Sequence, residues 1–304
     1  MQRKTGRVPS GHLSRLKPVE IDPLAEYGLP SKGEKRLLVA KTQESYYAKI
    51  AERYLAFCTD AGDRDELQKQ FSRLALSEDD PVPTSSTSAP PALPVGPTPA
   101  AAASEKNQIE LSQILSALRK LREGIVASKR RDAFASQVYL FAIRLGVLVS
   151  SYETYHPALL YLLRVIHPAH NLTSVERHEA VAYLVLDAAC RRGNLADAYT
   201  LRNEHRLRDA KVDAVLRALV RDDWVLWRKT KRSVDGHRAK LMEFAEPQLR
   251  AHVLKAFGRS YLSVGLDFLE TQTFSSWKEL ASQHGVGWEL NNGRVVIRKI
   301  QGRS

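Results

Sequence analysis

The chain has 304 residues, 43% of them apolar and 26% charged, enough for a sizeable core with no metal or disulfide framework to support it. Only two cysteines occur, Cys58 and Cys190, far apart and without paired Cys/His spacing, which excludes a disulfide scaffold and a zinc motif of the usual kind. The formal net charge of +12 favours acidic partners, nucleic acid or protein, and is concentrated in residues 1–18, residues 228–240 and the last few positions.

Taken in chain order, residues 1–40 read as a basic, irregular, disordered stretch punctuated by proline and glycine. It lacks the apolar run of a secretory signal, and its acid-poor start leaves a mitochondrial transit peptide as a minor reading. Residues 41–76 predict short helices. Tyr46, Tyr47, Ile50, Tyr54, Leu55 and Phe57 recur on one helical face from Thr42 onward, and Leu67, Phe71 and Leu74 follow on a second. The pattern does not decide whether these helices dock on the main body or on a partner. Residues 77–106, rich in Pro, Ser, Thr and Ala, predict a disordered linker.

Residues 107–246 then predict helix after helix. The run 133–149 is broken by Gln137 and Arg144 and is too short to cross a bilayer, so it is expected to be a buried helix. Pro157 is placed in the first turn of a helix over 156–166. Thr173 and Glu176 match a capping box, and Gly193 supplies a stop after Cys190. Further helices are expected at 209–220, 222–234 and 247–257. The small residues and Gly-Asn turn around 188–203 suggest a solenoid-like repeat, although no strict period recurs.

Residues 247–304 change character. Ser276 and Glu279 match a second capping box, opening a helix over 277–283. Trp288, Leu290, Val295 and Ile297 then alternate around Asn292-Gly293, a strong hairpin signal. A short helix followed by a hairpin supplies the parts of a winged helix. The expected fold is therefore all-α dominated: a helical-repeat, solenoid-like array followed by a C-terminal winged helix with a small β-hairpin.

The motifs of phosphate loops, dinucleotide folds and nucleophile elbows are missing from the sequence. His178-Glu179 starts like a zinc-protease motif but lacks the second histidine. His156, His167 and His170 have no acid or cysteine at ligand spacing. Cys190 lies in apolar helical surroundings that favour a packed thiol over a nucleophile. No enzyme activity, cofactor, metal site or small-molecule substrate is expected.

Binding surfaces are the remaining candidates. Arg228, Lys229, Lys231, Arg232, Arg238 and Lys240 surround Trp224 and Trp227. They form either a face for RNA, with cations on phosphates and aromatics on bases, or an amphipathic helix with its tryptophans turned inward. The hairpin adds Arg294, Arg298 and Lys299. The helix 277–283 carries Lys278 as its only cation, which is poor for docking in a DNA major groove.

Helical repeats running directly into a winged helix resemble the PCI domain of proteasome lid, COP9 signalosome and initiation factor three subunits. The residues that carry the resemblance are 139–149 and 183–201 in the helical part, then AFGRSYLSVGLDFL at 256–269, 277–280 and 288–299. The resemblance implies a non-enzymatic scaffold whose partners are other PCI-type subunits, reached edge to edge through the winged helix. Its core would comprise Tyr261, Leu262, Leu266, Leu269, Trp277, Leu280, Trp288, Val295 and Ile297. RNA is the alternative partner. Neither a membrane nor a small molecule is expected, and the expected location is the cytoplasm or nucleus, with mitochondria second.

Overall fold

The computed structural model describes residues 24, 26–60 and 99–298. The expected helix near 67–74, most of the 77–106 linker, and Lys299 lie outside the described residues.

Helix α1 (Ala40–Asp60) and helix α2 (Pro99–Ala127) run antiparallel, as their cross-contacts show. The Gln43 amide donates to Ser128 Oγ at 3.0 Å near one end, and Arg53 donates to Gln113 Oε1 at 3.1 Å near the other. Tyr46, Ile50 and Phe57 are buried in this interface, whereas Leu55 faces solvent at 65% exposure and does not belong to the stripe. The docking question left open by the sequence is thus answered: α1 is part of the main core. α2 also takes over the end of the expected linker, because Pro99 opens it and the alanine run 100–103 is the strongest helix former available.

The expectation of a disordered 1–40 fails for its last part. Short 3-10 turns at Pro30–Lys32 and Arg36–Leu38 lie against α1 and α2, and Leu24, Tyr27 and Leu37 are buried there. The Tyr46 hydroxyl donates to Leu24 O at 2.8 Å, and Gln43 Nε2 donates to Leu37 O at 2.8 Å. Gly124 makes room for this contact, since a Cβ there would meet Leu37 O at 2.7 Å.

Helix α3 (Ala133–Leu148) begins at an Asp132 cap and is buried over most of its length, as its apolar composition requires. Helix α4 starts at Tyr152, earlier than expected, and runs to Tyr161, so Pro157 lies inside it rather than in its first turn. The reason is the turn before it: Ser150 takes a positive φ of 59°, and the chain restarts at once from Ser151. α3 and α4 approach closely at Gly146, where a Cβ would meet Tyr155 N at 3.1 Å. α4 passes into a π-type turn over Leu162–Ile166, closed by His167 N donating to Leu162 O at 2.8 Å.

Helix α5 (Ser174–Leu186) carries the capping box read from Thr173 and Glu176, and it too ends in a π-type turn, Asp187–Arg191. Gly193, at φ 63°, ends that turn, and Asn194 caps helix α6 (Leu195–Glu204). Helices α7 (Ala210–Val220), α8 (Trp224–Ser233) and α9 (Gly236–Glu243) each begin at an aspartate cap: Asp209, Asp223 and Asp235.

The C-terminal unit follows. Its elements are α10 (Glu246–Ser260), β1 (Ser263–Gly265), α11 (Leu266–Thr273), α12 (Trp277–Gln283), β2 (Glu289–Asn291) and β3 (Arg294–Val296). The strands form a small antiparallel sheet in the order β1-β3-β2. Val264, Val295 and Leu290 lie in one row across it. The β2–β3 turn is the expected Asn292-Gly293, both at positive φ. The Ser276–Glu279 capping box opens α12 as expected. Two apolar clusters result, one spanning α1 to α9 and the start of α10, the other confined to the C-terminal unit.

Candidate interaction surface

The basic stretch is folded so that most of its cations are already partnered. On α8, Trp227 is 2% exposed and belongs to the core. One turn earlier, Trp224 Nε1 donates to Gln272 Oε1 at 3.1 Å. Arg228 donates to the same oxygen at 2.9 Å and stacks over Phe274, 4.9 Å from the ring centre. These two side chains tie the helical body to the end of α11. Lys231 is held by Glu246 and lies 3.5 Å from Glu243. Arg238 bridges Asp209 at 2.9 Å and Asp235 at 3.2 Å. Lys240 is buried, 2.8 Å from Glu243. Lys229 and Arg232 remain exposed on α8 with no ion pair among the described residues.

Of the hairpin cations, Arg294 donates to Ser263 Oγ at 3.2 Å and Arg298 donates to Gly258 O. Most of the expected polyanion residues are therefore engaged within the fold, while Lys229 and Arg232 stay exposed. A signal for this was present in the sequence: Asp235, Glu243 and Glu246 interleave with the cations and follow them.

The expected core of the C-terminal unit is partly correct. Leu269, Leu280 and Val295 are fully buried, and Leu266, Trp277, Trp288 and Ile297 pack against them. Trp288 meets α10, where a Cβ on Gly258 would lie 3.6 Å from its ring. Tyr261 and Leu262 do not belong to the core, at 45% and 51% exposure. The physical reason is that α10 stops at Ser260 and the chain straightens. Leu262 O then accepts from Ile297 N at 2.8 Å, which fixes the backbone in the sheet and turns the side chain outward. The core places are filled instead by Val253, Phe257 and Val264. The first two stand four residues apart on α10, a spacing the sequence does display.

An apolar surface results. Phe257 is buried beneath two half-exposed rings, Tyr261 at 5.2 Å and Phe268 at 5.8 Å between centres. Leu262, next in sequence after Tyr261 and just before β1, is also half-exposed, and β1 and β2 are the two edges of the sheet.

The most unusual polar group was not anticipated. Asp187 is completely buried where α5 loosens into its π-type turn. It accepts from the Tyr155 hydroxyl at 2.6 Å and from Arg191 at 2.6 and 3.0 Å, and Arg192 lies 3.5 Å away. His156 Nδ1 is 3.2 Å from the second oxygen. Burial and the adjacent carboxylate push the Tyr155 phenol far above its ordinary pKa. Withdrawn from solvent, Asp187 lies within 3.5 Å of polar atoms of four side chains of its own fold, Tyr155 and His156 on α4 and Arg191 and Arg192 at the end of its own turn. Burial also raises the Cys190 thiol well above its usual range, leaving it a packed apolar group. Among the described residues, no group of three or more His, Cys, Asp or Glu is placed to hold a metal, and no helix is long and apolar enough to cross a membrane.

Compared with known proteins, the chain matches no protein family and no curated sequence.

Proposed function

We propose that the chain is a non-enzymatic, PCI-like assembly subunit, with α1–α9 as its solenoid-like array and the C-terminal unit as a winged helix that docks on a partner protein. The topology supports the winged-helix reading: helix, strand, helix, helix and hairpin in that order, with the first strand placed beside the last. The observation that carries the functional reading is the apolar surface at Tyr261, Leu262 and Phe268 beside an open sheet edge. Contiguous exposed apolar groups next to an unpaired edge are suited to a protein partner, which supplies both a strand and apolar contact.

Internal pairing of Arg228, Lys231, Arg238 and Lys240 weighs against RNA as the principal partner, since phosphate binding needs cations free to replace counterions. The test is affinity purification of the tagged protein from its native cell, with and without nuclease and at two salt concentrations. Alongside it runs the double variant Leu262→Asp with Phe268→Asp. Stoichiometric protein partners that survive nuclease and salt, and disappear with the variant at unchanged melting temperature, are the expected result. Partners lost to nuclease would replace this reading with RNA binding.

A further inference from the structure

No further inference is drawn: the strongest candidate, the open β2 edge of the C-terminal sheet, where the 40%-exposed Leu290 continues the buried row of Val264 and Val295, is an unpartnered apolar face, and nothing in the structure shows what covers it.

Discussion

The helical body and the C-terminal unit solve the same burial problem on different scales. The body encloses a core running from Leu24 to Leu249 and keeps a carboxylate, Asp187, wholly inside it. Among the described residues the unit rests on six buried apolar side chains and leaves Tyr261, Leu262, Phe268, Phe274 and Leu290 substantially exposed. A large core can accommodate a buried charge provided that it is fully partnered. A small one has no such reserve, and here it depends on its junction with the body, through Trp224 and Arg228 on Gln272.

The largest test of this contrast is Asp187→Ala. Removing the carboxylate strands the Arg191 and Arg192 cations and the Tyr155 hydroxyl, with an expected loss of about 3–5 kcal/mol in thermal or chemical unfolding of the body. Retention of wild-type stability would show that water replaces the acid and that the network is not a keystone. Next is Leu280→Ala, at 0% exposure in the centre of the small core, with an expected loss of roughly 2–4 kcal/mol. Limited proteolysis should then cut within 261–298 while the body stays intact. Simultaneous cleavage of both regions would mean that they unfold as one.

The smallest effect expected is a pH dependence seated in the body. Burial lowers the pKa of His167, His205 and His237 below the ordinary 6.5. The unfolded chain therefore takes up these protons first. The stability tied to the neutral rings is complete above 6.5 and is lost as pH falls through the lowered values. Glu179 acts in the same direction at lower pH: burial would raise its pKa, but the Arg144 hydrogen bonds outweigh that and hold it down, so its contribution is lost on acidification. The melting temperature of the body should fall modestly between pH 7.5 and 5.5, and a rise would contradict the burial of these rings.

Local signals proved the most legible. Both capping boxes, the Asn-Gly turn and the Gly193 stop lie where their residue types place them, because each is decided by contacts within a few residues. What escaped was non-local. Leu24, Tyr27 and Leu37 have no periodicity, and they are held by a surface that α1 and α2 create only together. The partners of Arg228 and Arg238 come from other elements, so charge counting along the chain overstated the free surface. Arg191 four residues after Asp187 was a readable clue to the buried network, whereas Tyr155 was not.

The packing of α1 against α2 and α3 also sets a timetable for synthesis. The ribosome completes α1 at residue 60, yet its covering helices are finished only at residues 127 and 148. At roughly 5–20 residues per second, the face bearing Tyr46, Ile50 and Phe57 waits several seconds for its neighbours. Through that interval the nascent chain displays an amphipathic surface that chaperones can occupy, and the speed of translation through the intervening segment governs how long they have to do so.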